Sequence, residues 1–208
     1  MVLRRRYGNL WLSARIIETE AYCLEEKGSH ASLGYTQKRH ALFVEEGGTI
    51  YMYYARGGDS LNFSAAGAGN AVLIKSAHPW QDSVSGAASL ACMQALNPRR
   101  DGSPRPPGQL CAGQTLLCRA LALKVPDWNG RFFTDDFFVE DVGARPATLV
   151  QTTRLGIPLG RDEHLPYRFV DEGFARHATR NPLRRGQEEG LHFTRVTVRE
   201  DGARARAG

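Results

Sequence analysis

Residues 13–23 read SARIIETEAYC, and residues 48–77 read GTIYMYYARGGDSLNFSAAGAGNAVLIKSA. The first stretch mixes β-branched residues with alternating polar ones, the signature of a strand. Side chains alternate faces along a strand, so Glu18, Glu20 and Tyr22 share one face. The second stretch divides at its glycines. GTIYMYYA (48–55) is a strand led by turn glycines, with Tyr51 and Tyr53 on one face. Gly57-Gly58-Asp59-Ser60 is a tight turn, because glycine reaches positive φ at no steric cost. LNFSA (61–65) is the next strand, and Gly67-Ala68-Gly69-Asn70 turns the chain into AVLIKSA (71–77). Three strands joined by short glycine-rich turns predict an antiparallel meander.

Outward from this meander the character of the chain changes. SVSGAASLACMQAL (83–96) and GQTLLCRALAL (113–123) carry helical periodicity, and Pro98 and Pro126 stop them. Between them, Arg99–Gly108 is rich in proline, glycine and arginine and reads as an exposed loop. FFVEDV (137–142) and ATLVQTTRLG (147–156) read as strands. The terminal residues 200–208 read as a frayed tail. There is no repeat and no linker. Strands, then helices, then strands again favour a single α+β domain spanning 1–208.

Composition narrows the function classes. The 208 residues are 42% hydrophobic and 24% charged, which excludes general disorder and a disulfide mini-scaffold. No apolar run approaches the ~20 residues of a transmembrane helix. MVLRRRYGNLW (1–11) has charge but no apolar region behind it, so no secretory signal is read and a cytoplasmic location is expected. Cys23, Cys92, Cys111 and Cys118 show no C-x2-C pair, and the six histidines form no H-E-x-x-H. Free thiols, no metal and no cofactor are expected. The net charge is +5, and 23 of the 27 basic residues are arginine. With a pI near 9.2, this is the footprint of a nucleic-acid binder, although a GC-rich genome would produce the same arginine bias.

Chemistry concentrates in the first strands. Glu18 and Glu20 are flanked by Ile16-Ile17 and Ala21-Tyr22, which implies partial burial. A carboxylate among aromatic groups has its charged form destabilised, which brings it toward the range of general acid–base work. Tyr22, Tyr51, Tyr53 and Tyr54 accompany His30 and a mid-strand Asn62. Flat rings around hydrogen-bonding side chains suit a planar heterocycle, bound by stacking and edge contacts. A sugar hydrolase using Glu18 and Glu20 as a pair fits poorly. Side chains at i and i+2 of a strand stand parallel and about 6.5–7 Å apart, whereas a retaining enzyme needs its carboxyls about 5–5.5 Å apart on two sides of one bond.

ARIIETEAY, followed in order by GSHASLG, GTIYMYY, LNFS and AVLIKSAHP, resembles the alkyladenine (3-methyladenine) DNA glycosylase family. The family pattern runs as R-I-V-E-T-E-A-Y, a nearby A-H-S, G-x-x-Y-V-Y, N-[IV]-[SV] and V-L-[IL]-R-A-x-E-P. The later L-C-x-G…L…A-L helix (110–121) and PYRF (166–169) match as well, so the resemblance covers most of the chain. It implies a curved, partly barrel-like antiparallel sheet with packed helices. It also implies a monomeric, monofunctional N-glycosylase that flips alkylated or deaminated purines out of duplex DNA, working in the bacterial nucleoid.

By this resemblance Glu20 activates the water that attacks C1′, and Glu18 supports it. Tyr22, His30 and Tyr53 match the positions that sandwich and edge-bind the flipped base, the histidine through its backbone N–H. Tyr51 lines the same face. Asn62 matches the asparagine that crowds the guanine amino group. Arg56, Arg39 and Lys38 form the basic DNA-binding rim. Only Lys75 of the four lysines lies in a candidate pocket strand, which agrees with a glycosylase lacking an amine nucleophile.

The sequence departs from the pattern in four places. Lys75 stands where the family has the arginine that helps hold the water; lysine keeps the charge but loses the planar fork. Arg56 aligns with the wedge that fills the gap left by the flipped nucleotide, in a loop one residue shorter than usual; Tyr54 is the alternative. Gly113-Gln114-Thr115-Leu116-Leu117 replaces G-P-x-K-L and lacks a DNA-contacting lysine. The start is short by a leading helix and strand. These departures leave a second reading open, a DNA-binding module of this fold with impaired catalysis.

Overall fold

The computed structural model describes residues 1–55 and 58–198. Strand β1 (Val2–Tyr7) turns at Gly8, with φ of 57°, into the long strand β2 (Leu10–Tyr22). The glycine-rich stretch forms the predicted meander: β3 (Ile50–Ala55), β4 (Gly58–Ser64) and β5 (Ala71–Pro79). Four helices follow: α1 (Ala87–Leu96), α2 (Pro107–Leu110), α3 (Gln114–Ala120) and α4 (Val125–Trp128). The chain then returns to strands β6 (Phe137–Glu140), β7 (Thr148–Thr152), β8 (Arg168–Asp171) and β9 (Phe193–Thr197). The α+β class is as the sequence predicts.

All nine strands join one antiparallel sheet in the order β3-β4-β5-β2-β8-β7-β9, with β1 between β2 and β6. Strand β2 is the spine. Its near end, Leu10–Arg15, pairs with β1, while Glu18–Glu20 pair with β8 on the same side. Strand β5 covers the opposite side from Ala14 to Tyr22. The two ends of the order, β3 and β9, are not paired with each other, so the sheet is open rather than a closed barrel.

The period of two decides what each face does. Ile50 and Met52 of β3 enter the main core with Leu3, Leu12, Leu61 and Ile74, where Met93, Leu117 and Leu121 cover them from the helices. Tyr51 and Tyr53 alternate onto the other face and pack with Ala31, Leu42 and Ala71 beneath the 24–48 segment. The aromatic residues of the candidate site are thus a by-product of the same alternation that builds the core.

Several elements differ from the sequence reading. The Arg4-Arg5-Arg6 run hides a strand, because Arg4 turns inward and is 2% exposed. It donates to Asp82 at 2.5 Å and Glu140 at 2.7 Å. Helix α1 begins at Ala87 rather than 83, since the Asp82 carboxylate accepts from Val84 N and Ser85 N and holds a turn there. Within the expected loop, Pro107 opens α2 at a position where its missing N–H costs nothing. The strand expected over 147–156 ends at Thr152, and β8 and β9 were not foreseen. The tail at 200–208 and the wedge candidate Arg56 lie outside the described residues.

Candidate active site

Two β-bulges build the centre of the site. The β2–β5 register runs Ile16↔Ala77, Glu18↔Ser76, Thr19↔Ile74. Ile17 is therefore an extra residue on β2 and Lys75 an extra residue on β5. A bulge re-aims the side chains beside it. Here both Lys75 and its neighbour Ser76 reach carboxylates on β2, which strict alternation would forbid. Lys75 Nζ lies 3.3 Å from one oxygen of Glu20 and 3.4 Å from the other. Ser76 Oγ donates to Glu18 at 2.5 Å.

Glu20 has no exposed surface. Besides Lys75 it accepts from the Tyr22 hydroxyl at 2.9 Å and from the backbone N–H of Leu155 at 2.9 Å. Three donors thus converge on this carboxylate, one of them the aromatic Tyr22 that shares its strand face. Glu18, equally buried, is saturated by Ser76, by Arg168 Nε at 2.7 Å and by Thr179 N at 2.7 Å. It ties β2, β5, β8 and the 179 segment together. The two carboxylates share a face, and the three residues that donate to Glu20, namely Tyr22, Lys75 and Leu155, all line the open space.

That space is a cleft of about 860 Å³, lined by Tyr22, His30, Tyr51, Tyr53, Asn62 and Lys75 among others. Tyr51 and Tyr53 lie nearly parallel, with centroids 5.6 Å apart and planes at 29°. The His30 ring stands edge-on to Tyr53 at 4.4 Å, and its Nδ1 shares a 3.0 Å hydrogen bond with the Tyr51 hydroxyl. Burial, aided by nearby Arg39 and Arg161, pushes His30 below its ordinary value, so the ring is neutral at pH 7. Burial pushes Tyr51 up to about 12. Tyr22 is raised further still, by burial first and then by the charge of Glu20, so its hydroxyl stays a donor. Asn62 Nδ2 donates to Tyr51 O at 3.1 Å, which fixes its amide at the cleft edge.

The rim residues fare differently. Arg39 donates to the carbonyls of His30 and Gly34 at 3.3 and 2.5 Å, so it braces the His30 loop. Lys38 is exposed and does not line the cleft. Tyr54 is 64% exposed and does not line the cleft. Among the described residues, the cations that line the cleft with Lys75 are Arg161 and Arg180.

The family model described as Methylpurine-DNA glycosylase (MPG) matches residues 1–175. The chain belongs to the methylpurine-DNA glycosylase family. It is thus a DNA glycosylase, an enzyme that hydrolyses N-glycosyl bonds. A Pseudomonas aeruginosa protein named "Putative 3-methyladenine DNA glycosylase" is 70% identical over 92% of this chain and 80% of its own length. A protein of the same name from Pseudomonas fluorescens is 69% identical over 92% of this chain and 83% of its own. A more distant one from Listeria welshimeri is 30% identical over 78% and 74%.

Several parts of this candidate site carry no signal in the sequence. Leu155 and Thr179 act through backbone N–H groups, which carry no side-chain signature. Arg154 and Arg168 are buried at 4% and 2% exposure and contact the site from loops and strands more than 130 residues beyond β2. The PYRF block did hold a signal, since Arg168 is its arginine. Among the described residues no three His, Cys, Asp or Glu side chains gather as metal ligands, and no helix is long and apolar enough to cross a membrane.

Proposed function

We propose that the protein removes alkylated or deaminated purines from duplex DNA by flipping the nucleotide into the cleft, where Glu20 activates the attacking water. The observation that carries this reading is the buried Glu20 carboxylate, held by Tyr22, Lys75 and the Leu155 N–H, three residues that themselves line the tyrosine-rich cleft. Water attacks C1′ as the C1′–N bond breaks. The bonding pair leaves with the base, and Glu20 takes the water's proton. The same carboxylate faces the positive charge that develops on the sugar.

Tyr22, Tyr51 and Tyr53 offer electron-rich faces, which favour an electron-poor alkylated purine over a normal one. A neutral His30 sets no positive charge against such a base. Asn62, with its amide fixed, crowds the guanine amino group. Lys75 is 8% exposed and paired with Glu20, which suits a role in holding the water and opposes its use as an amine nucleophile. One chain supplies every group named here, which supports a monomer; a DNA substrate would place its work at the nucleoid.

The test is release of 3-methyladenine, 7-methylguanine, hypoxanthine and ethenoadenine from duplex oligonucleotides. Glu20→Gln is expected to lower the single-turnover rate by about 10²–10⁴-fold, the range of a general base. Equal rates in both proteins would remove Glu20 from the mechanism. Salt-dependent duplex binding with no base released by the native protein would instead establish the impaired binding module.

A further inference from the structure

We propose that Arg154 is a positioning residue that locks the base-stacking ring of Tyr22 and the Glu20 carboxylate into one rigid unit. The inference rests on the reading of Glu20 as the general base. Its starting point is the far end of β2. Strand β8 pairs with β2 only from Glu18 to Glu20, and one further bond runs from Ala21 N to Tyr167 O. The residues that do the chemistry therefore sit where sheet pairing on that side runs out.

The Arg154-Leu155 dipeptide takes over there and touches three consecutive residues of β2. The Leu155 N–H donates to the Glu20 side chain at 2.9 Å. Arg154 Nη1 donates to the Ala21 carbonyl at 3.0 Å. The guanidinium carbon lies 4.5 Å from the centroid of the Tyr22 ring and 5.5 Å from that of Tyr167. Tyr22 in turn donates to Glu20. A displacement of Arg154 thus moves the ring, the amide and the carboxylate together.

The guanidinium is itself fixed from behind. Its side chain has no exposed surface and is ion-paired with Glu26, whose carboxylate also accepts from Cys23 N at 3.0 Å. The chain passes so near at Gly28 that a Cβ there would lie 3.1 Å from Arg154 Nη2. Among the described residues, Arg154 Nε and Glu26 Oε2 have no hydrogen-bond partner. A buried ion pair with unsatisfied atoms adds little net stability. What this pair supplies is geometry, and a catalytic group displaced by about 1 Å can lose on the order of 10² in rate.

Arg154→Lys separates position from charge. Lysine keeps a cation opposite Glu26 but loses the planar surface and the fork. The variant is expected to lower kcat for base release about 10–100-fold while KM stays within about threefold. Glu26→Gln keeps an oxygen for Nη1 and removes the charge, and is expected to lower kcat less than Arg154→Lys does. It remains informative if Arg154→Lys fails to fold. The proposal is overturned if Arg154→Lys turns over at the native rate, if its loss lies in KM alone, or if Glu26→Gln lowers kcat as much as Arg154→Lys is expected to. Glu20→Gln is run alongside. If Glu20→Gln is inactive while Arg154→Lys is fully active, this inference alone fails; if Glu20→Gln is fully active, both readings fail.

Discussion

Glu18 and Glu20 differ in their neighbours rather than in their burial. Both have no exposed surface, yet all three donors to Glu20, namely Tyr22, Lys75 and Leu155, line the cleft, whereas of the donors to Glu18, namely Ser76, Arg168 and Thr179, only Thr179 does. Glu18 joins β2 to β5 and β8 through Ser76 and Arg168. Glu18→Ala would leave the Arg168 guanidinium, 2% exposed, without its carboxylate. Breaking a buried pair by deleting one partner costs about 3–5 kcal/mol, and urea denaturation should show a loss of that size. A loss below about 1 kcal/mol would mean that the pair behaves as a surface one. Side chains on one strand face were legible at this scale, because period two brings Glu20 and Tyr22 together and Tyr51 with Tyr53. The donors Leu155 N and Thr179 N were not. A backbone amide is the same in every residue, and only the path of the chain aims it.

At the scale of elements, the meander was legible because each of its turns is marked by glycine, and a strand between two marked turns has little freedom. The strands β1, β8 and β9 were hidden by charge. Arg4 and Arg168 read as surface residues until their carboxylate partners are known, and those partners lie far along the chain. The two bulges were equally hidden, since register belongs to a pair of strands and not to either sequence. Another pairwise constraint fixes where the β3–β4 hairpin sits. A Cβ on Gly58 would lie 2.4 Å from both terminal atoms of the Thr115 side chain on α3. Threonine is short and branched, so it has little room to yield. Gly58→Ala is expected to destabilise the protein by about 1–3 kcal/mol, the usual penalty of overpacking. Thr115→Ala removes the two nearest atoms and should recover part of that loss in the double variant. Additive losses in the four-way denaturation cycle would show that the hairpin and α3 do not constrain each other.

For the whole molecule, the question is where a net charge of +5 acts. The buried arginines Arg4, Arg154 and Arg168 are ion-paired, Arg4 with Asp82 and Glu140, Arg154 with Glu26 and Arg168 with Glu18. They hold elements together and are out of reach of a phosphate. Arg180 is exposed and lines the cleft, and Lys38 is exposed beyond it. Phosphate contacts release counterions, so the logarithm of duplex affinity should fall linearly with the logarithm of salt concentration. Each phosphate contact removed should flatten that slope by about 0.9. Arg180→Ala is expected to flatten it by this amount and to weaken binding to damaged and undamaged duplexes alike. Lys38→Ala tests the outer rim in the same way. The ratio of rates among damaged bases should not change in either variant, because phosphate contacts position the duplex and carry no information about the base. An unchanged slope in Arg180→Ala would place the DNA backbone away from this wall of the cleft. A changed ratio of lesion rates would mean that Arg180 reaches the base itself.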